Sequence, residues 1–383
     1  MFKVEGASVS ALEHISIEGF KSIRSLEKLS LRPINVIIGA NGSGKSNFIE
    51  VFQFFHALRE GRLNRYVLSS GGADKILHFG SKHTPRMKLE IWFEGETNGY
   101  EIALEAVEPD TLVPAEEWTW YWDKARFPKG GTAGGLRSEG MEAGISRERQ
   151  DHRVPSYVRE HLSSWRVYHF HDTGPSSPLK RVADINDNRF LRRDGSNLAA
   201  YLYFLQKVWP DYYERIRQAI KRMAPFFDDF VLYPLQLNES KIQLQWRHTD
   251  SDAFFDVSSL SDGTLRFIAL TALFLQPAHL SPSVFLVDEP ELGLHPSAIT
   301  ILASLVRAAA AERKQVIIST QSSFLLDHFD PEDVVVAERE GGGSVFRRLD
   351  PEAYEAWLED YSLGQLWEKN ELGGRPSPET RRS

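Results

Sequence analysis

The sequence predicts an α/β fold in which a largely parallel sheet is covered by helices. Three observations predict it. Residues 34–58 read as a short apolar strand, a glycine-rich loop and an amphipathic helix in direct succession. Residues 257–337 alternate between helical and strand-like patterns. Within that stretch, residues 284–287 and 316–318 are continuously apolar, as strands buried on both faces are.

Residues 12–38 read as two or three strands around Gly19-Phe-Lys-Ser-Ile23. Ile15, Ile17 and Phe20 supply the first apolar positions, and Leu26, Leu29 and Leu31 the next. The following stretch, Gly39-Ala-Asn-Gly-Ser-Gly-Lys-Ser46, matches the phosphate-binding pattern G-x-x-x-x-G-K-[ST]. Its strand and helix flanks distinguish it from a chance Gly/Ser turn. Glycines let the backbone turn tightly and aim consecutive N–H groups at an anion. The helix adds its unpaired N–H groups and the positive end of its dipole. Gly39, Ala40, Asn41, Gly42, Ser43, Gly44, Lys45, Ser46 and Asn47 are therefore candidate nucleotide contacts. Lys45 is expected to reach the β- and γ-phosphates, and Ser46 to hold Mg²⁺.

Residues 88–94 and 100–105 alternate apolar and polar and read as a hairpin joined by residues 95–99. Trp118-Thr-Trp-Tyr-Trp122 reads as a strand with its three tryptophans on one face. A packed sheet face is favoured over a base-stacking platform. Residues 129–150 are rich in Gly, Ser and charge and are expected to form a mobile loop. Residues 165–170 read as a strand. His169 and His171, two apart, face the same way, but no third metal ligand is evident from the sequence.

Residues 196–227 are helical in pattern, with one stripe of Leu198, Tyr201, Leu202 and Leu205 and another of Tyr212, Ile216 and Ile220. Arg189, Arg192, Arg193, Arg215, Arg217, Lys221 and Arg222 make this the most basic region. A solvated helix face is favoured there over a nucleic-acid or partner surface. Residues 230–247 read as a second hairpin, and a helix follows Ser261-Asp-Gly-Thr264. Residues 284–289 read as a buried strand ending in two carboxylates. Residues 296–314 form an Ala/Leu-rich helix, and residues 316–320 and 334–337 two more strands. Residues 373–383 are expected to be a disordered tail.

The bulk properties narrow the class. A chain of 383 residues, 42% hydrophobic and 26% charged, is that of an ordinary soluble globular protein. No apolar run approaches the ~20 residues that cross a bilayer, and the N-terminus lacks an apolar secretion core. No membrane association and a cytoplasmic location are expected. With no cysteine, disulfides, thiolate zinc sites and cysteine nucleophiles are excluded. A net charge of −8 gives no global attraction for nucleic acid, so any DNA contact needs a local basic patch.

Residues 284–289 have the form of a Walker B strand: four apolar residues, then Asp288 to hold Mg²⁺ and Glu289 to polarise the attacking water. Leu260-Ser-Asp-Gly-Thr264 resembles the L-S-G-G-Q signature of the ABC ATPase superfamily, with Asp262 for the first glycine and Thr264 for the glutamine. Ser261, Asp262 and Gly263 open a helix and form a second anion site. Residues 290–296 resemble a D-loop. Gln321 stands where this superfamily usually has its switch histidine. Its amide can hydrogen-bond the γ-phosphate or position water, but carries no positive charge.

Together these residues resemble the RecF/SMC/OLD-like branch of the ABC-type ATPases, and within it the compact bacterial ATPases of AAA15/AAA21 type. Residues 19–23, 39–47, 261–263, 288–296 and 319–322 carry the resemblance, which covers residues 10–105 and 250–350 well and the middle loosely. It implies a P-loop NTPase with an ABC-type head domain of two lobes. A mixed-sheet lobe with the phosphate loop spans residues 1–105. An inserted β/helical region spans 106–229. A parallel-sheet core with signature, Walker B and switch spans 230–372. The resemblance further implies an ATP- and Mg²⁺-dependent ATPase acting as an ATP-sandwich homodimer. Ser261 and Gly263 of each subunit would close on the ATP of the other, and Lys45, Glu289 and Gln321 would carry the chemistry. DNA repair or defence against phage is the implied setting, with DNA and a nuclease or other effector in trans as candidate partners. A nucleotide-gated scaffold with little hydrolysis is the alternative. No long coiled coil is present, and no glutamine stands at the expected Q-loop distance: Gln53 is too close to Lys45.

Overall fold

The two continuous apolar runs form the centre of a six-stranded sheet. The computed structural model describes residues 11–128, 130–138, 140–147 and 153–374. In order across this sheet the strands are Gly343–Arg348, Val334–Glu340, Ile34–Ile38, Gln315–Thr320, Val284–Asp288 and Arg166–Tyr168. The last five run parallel, and Gly343–Arg348 is antiparallel at one edge. The continuous runs are explained by helices or sheet on both faces. Ile37, Leu286, Ile317 and Val335 point into one core with Phe48, Phe52 and Phe55 of the Lys45–Arg59 helix. Val36, Ile38, Val287, Ile318 and Val336 point into another, with Leu265 and Ile268 of the Asp262–Phe274 helix and Leu302 of the Pro296–Ala311 helix. The phosphate-loop helix and the Asp262–Phe274 helix therefore lie on opposite faces of one sheet.

A second sheet is antiparallel, in the order Ile23–Ser30, Leu12–Phe20, Arg86–Phe93, Asn98–Val107, Thr111–Tyr121 and Thr132–Gly135. Its alternating strands bury one face against the phosphate-loop helix. The hairpin over Arg86–Phe93 and Asn98–Val107 forms as its alternation predicts. The chain between 106 and 229 feeds both sheets: Thr111–Tyr121 extends the antiparallel one, and Arg166–Tyr168 forms the other edge of the parallel one.

Four expectations need correction. The tryptophan strand turns Glu117 and Thr119 inward, while Trp118 is 38% exposed and Trp120 packs partway against Trp92 on the outer face. A buried carboxylate takes the inner face because it is fully engaged: Glu117 accepts from Gly144 N at 2.6 Å, Ile145 N at 2.8 Å and Tyr100 OH at 2.9 Å. Residues 132–135, placed in a mobile loop, form a strand on Thr111–Tyr121, and Gly135 allows the Trp118 ring to lie against it. Lys129, Glu139 and residues 148–150 of that expectation lie outside the described residues. In the Pro210–Met223 helix, Tyr213 rather than Tyr212 joins Ile216 and Ile220 in the core, its hydroxyl donating to Asp229 at 2.7 Å. The hairpin over 230–247 is interrupted: Phe227–Val231 pairs with Gln245–His248, and a smaller pair, Pro234–Leu235 with Asn238–Ile242, fills the gap.

Three of the seven cations in the basic region are paired with its own acids. Arg217 pairs with Glu214 at 2.9 Å, Lys221 with Asp228 at 3.0 Å and Arg192 with Asp187 at 2.5 Å. No helix among the described residues is long and apolar enough to cross a membrane.

Candidate functional site

Four parallel strands end on one rim of the central sheet, where open α/β sheets place their ligands. Ladder register brings their ends level: Thr320 lies opposite Ile38, Asp288 opposite Ser319, and Tyr168 opposite Val287. Segments from 39–46, 169–171, 288–291 and 319–322 are thus neighbours, although far apart in sequence.

The phosphate loop leaves Ile34–Ile38 and turns into the Lys45–Arg59 helix through Gly42 and Gly44, at φ of 79° and 107°. Left-handed backbone of this kind favours glycine. At Gly44 there is a second reason: a Cβ would lie 2.1 Å from Ser344 Oγ and 2.8 Å from Ser22 Oγ. Ser22 belongs to the Gly19-Phe-Lys-Ser-Ile23 stretch, which explains why that motif accompanies the loop. Its Oγ accepts from Asn47 Nδ2 at 2.7 Å and from Ser344 Oγ at 2.7 Å. The Asn47 side chain thereby braces the loop from beneath.

Lys45 is 4% exposed, and its Nζ donates to the carbonyls of Gly39 at 2.7 Å and Ala40 at 3.1 Å. Burial lowers its pKa, while Glu289, Asp288 and Glu291 oppose that shift. Strand register places the end of Val284–Asp288, and the residues after it, one strand away from the loop that follows Ile34–Ile38. Ser46 is exposed at the start of the helix. Ser43 Oγ is buried with no hydrogen-bond partner among the described residues. An orphaned hydroxyl, a buried ammonium held by two carbonyls and nearby carboxylates fit a site for a phosphate chain with a divalent cation. Gly373 and Gly374, read as the start of a tail, are tied down here: Ala40 N donates to Gly374 O at 2.9 Å, and Gly374 N donates to the Glu338 carboxylate. Residues 375–383 lie outside the described residues.

Asp288 ends its strand with one carboxylate oxygen accepting from Ser319 Oγ. Glu289 sits at φ 40°, left-handed backbone that costs a non-glycine residue about 1–3 kcal/mol. Ser319 O holds it there by accepting from Glu289 N at 2.9 Å. The Gln321 amide donates to Glu289 Oε1, so the two residues predicted to handle the attacking water are in contact. Glu291 had no assigned role. It is 7% exposed, and its Oε1 accepts from Thr320 Oγ1 at 2.5 Å and Gln321 N at 3.2 Å. Burial pushes its carboxyl above the usual range. It anchors the Gln321 backbone, which one acid in a loop sequence could not have revealed.

Ser261 caps the Asp262–Phe274 helix, its Oγ accepting from Thr264 N at 3.2 Å. Ser261 and Asp262 are exposed, and Gly263 is half-buried. A Cβ at Gly263 would lie 2.1 Å from Gly293 O, so only glycine lets the helix start sit on the 290–296 turn. His295 in that turn caps the Pro296–Ala311 helix. Arg266, one turn into the signature helix, donates through Nε to Phe170 O at 2.9 Å and through Nη2 to His171 O at 3.0 Å. That fork joins the signature helix to the segment after Arg166–Tyr168. The segment occupies the rim beside Asp288, a position for which the sequence offered no candidate.

Residues 34–327 match the protein family described as "AAA domain, putative AbiEii toxin, Type IV TA system". Structural maintenance of chromosomes protein 3 of Arabidopsis thaliana is 31% identical over 135 residues, which are 34% of this chain and 11% of that protein. The chain thus spans about a tenth of that relative's length. Two solved structures are similar in fold. One is an Smc head bound to the C-winged helix domain of ScpA, at TM-score 0.58 and 15% identity, covering 90% of this chain and 99% of that one. The other is the Smc head domain with an extended coiled coil bound to the C-terminal domain of ScpA derived from Pyrococcus furiosus, at TM-score 0.57 and 15% identity, covering 92% and 99%. At that identity the likeness is one of fold.

Proposed function

The chain belongs to this AAA-domain family and has the P-loop, ABC-type head fold, and from that premise we propose that it binds Mg²⁺·ATP, closes as a homodimer around two nucleotides and hydrolyses them. One observation carries the reading. The phosphate loop and the Asp288–Glu289 pair meet on one rim, while the exposed Ser261 begins a helix on the opposite face of the sheet from the phosphate-loop helix. A second copy is the natural supplier of Ser261 and Gly263 to a triphosphate on that loop.

The loop's N–H groups and helix start hold the β- and γ-phosphates. Lys45 exchanges the Gly39 and Ala40 carbonyls for phosphate oxygens. Ser46 and Asp288 would hold Mg²⁺, which would supply positive charge to the phosphate chain. Glu289, oriented by Gln321, accepts a proton from water as its oxygen bonds to the γ-phosphorus and the bond to the bridging oxygen breaks. Asp262 and the Ser261 cap then lie against the partner's nucleotide, so ATP stabilises the dimer by its preference for the closed state.

DNA repair or defence against phage is the setting, with an effector such as a nuclease acting in trans, and the toxin–antitoxin description of the family favours defence. A scaffold that binds ATP and barely turns it over is the second reading, favoured by Gln321, whose neutral amide meets Glu289 where a cation would strengthen charge stabilisation. Steady-state phosphate release with and without DNA, beside sedimentation with a non-hydrolysable analogue, separates the two. Turnover that falls in Glu289→Gln while ATP-dependent dimers accumulate supports the hydrolase. Dimers without turnover support the scaffold, and a monomer under both conditions defeats the sandwich.

A further inference from the structure

We infer that His169, His171 and Asp288 form a chelating site for a divalent first-row transition ion such as Co²⁺, Mn²⁺ or Zn²⁺, beside the phosphate loop. The inference deepens the proposed nucleotide site, since Asp288 is shared with it.

Each of the three residues offers a ligand atom, and these atoms lie within 4.8 Å of one another. The spacing has a structural cause. Arg166–Tyr168 runs parallel to Val284–Asp288 with Tyr168 opposite Val287, so the next residue on each strand, His169 and Asp288, leaves the sheet side by side. His171, two further on, returns to the same side, with its ring centroid 6.0 Å from that of His169. All three are half-buried, open enough for an ion to enter.

The ligands are held in place before any ion arrives. The Arg266 fork fixes the carbonyls of Phe170 and His171, which sets the backbone between the two imidazoles. His169 N donates to Arg193 O at 3.0 Å. The Gln53 carboxamide, 2.9 Å from His169 Nε2, orients that ring. Ser319 donates to one oxygen of Asp288 and leaves the other without a donor among the described residues. Outer partners of this kind commonly fix metal-ligating histidines and carboxylates.

The donor set selects the ion class. Two imidazoles and one carboxylate suit Co²⁺, Mn²⁺ and Zn²⁺, whereas Mg²⁺ prefers oxygen throughout. The third ligand, absent from the sequence reading of the His169–His171 pair, comes from a strand more than a hundred residues downstream.

The test uses the full chain without nucleotide, titrated with Co²⁺ and followed by visible absorption and calorimetry, with Mg²⁺ as the control ion. Wild type is expected to take up one Co²⁺ with a nitrogen-ligand spectrum and to discriminate against Mg²⁺. His171→Ala and His169→Ala should each weaken Co²⁺ at least ~10-fold, since losing even an outer partner of a metal ligand commonly costs that much. Ser46→Ala should bind Co²⁺ as wild type does, which separates this site from the Ser46 cation position. His171→Asn, with matched thermal melting, guards against a folding defect. Wild type that takes no Co²⁺, or histidine variants that bind it unchanged, overturns the inference. If such a protein still binds ATP through Lys45, the proposed function stands without the metal site.

Discussion

Two glutamates, one buried within the antiparallel sheet and one at the rim of the parallel sheet, are held on opposite principles. Glu117 in the antiparallel sheet accepts three hydrogen bonds at ordinary distances and lies on regular strand backbone. Glu289 at the rim of the parallel sheet sits on left-handed backbone and receives one amide from Gln321. The first is over-determined and static. The second is strained and half-buried. Saturation of the carboxylate, rather than burial alone, distinguishes a structural acid from one that can accept a proton.

Truncating the structural acid should have the largest effect on folding. Glu117→Ala strips a partner from Tyr100 OH and from the N–H groups of Gly144 and Ile145. The cost should be about 4 kcal/mol, as for other disrupted buried networks. Chemical denaturation reads it, and ATP turnover per folded molecule should not change. A neutral effect on stability would erase the contrast between the two acids.

Lys45→Ala should act in the reverse sense. Nucleotide affinity should fall at least ~100-fold, about 3 kcal/mol, as when one partner of a desolvated charge pair is removed. The unliganded melting temperature should hold, because this ammonium is desolvated and pairs only with two carbonyls. Calorimetric titration with ATP checks the first part. Wild-type affinity would remove the loop from the site.

The same division explains what could be read in advance. The antiparallel sheet was legible in part because alternation over residues 88–94 and 100–105 specifies both a hairpin and its buried face. The phosphate loop, the Asp288–Glu289 pair and Gln321 were legible because each is a local pattern. Glu291, Arg266 and the position of His169 were not. Their environments come from strand order across a sheet that gathers residues 38, 168, 288 and 320 at one edge. Tyr213 rather than Tyr212 lies in the core for a smaller reason: both tyrosines fall at helical spacing before Ile216, Tyr213 at i−3 and Tyr212 at i−4, so the pattern alone does not choose between them.

A pH experiment sharpens the comparison in the last turn of the phosphate-loop helix, away from the rim. His56 is half-buried beside Leu162 O, and desolvation, then Arg193, depresses its pKa from 6.5 to about 4. Between those values the unfolded chain binds more protons than the folded one, so stability rises with pH. The stabilisation is complete above 6.5 and is lost as pH falls through about 4. Discounted for partial exposure, it is worth about 2 kcal/mol. His56→Gln should flatten denaturation midpoints over this range. An unchanged slope would show that the histidine keeps its ordinary pKa in the folded chain.

The smallest effect belongs to Gln321, and it tests how the rim's acid works. The Gln321 backbone is held by Glu291 Oε1, and its side chain donates to Glu289. If orientation of Glu289 is its main contribution, Gln321→His keeps a donor in the same place and changes only charge. Phosphate release in a single turnover should then rise by no more than ~10-fold, about 1.4 kcal/mol of barrier. Gln321→Ala, which removes the donor, should lower it by a similar factor. A histidine variant faster by several orders of magnitude would mean that the rim lacks a cation rather than an orienting amide, and that the protein is tuned to hold ATP instead of consuming it.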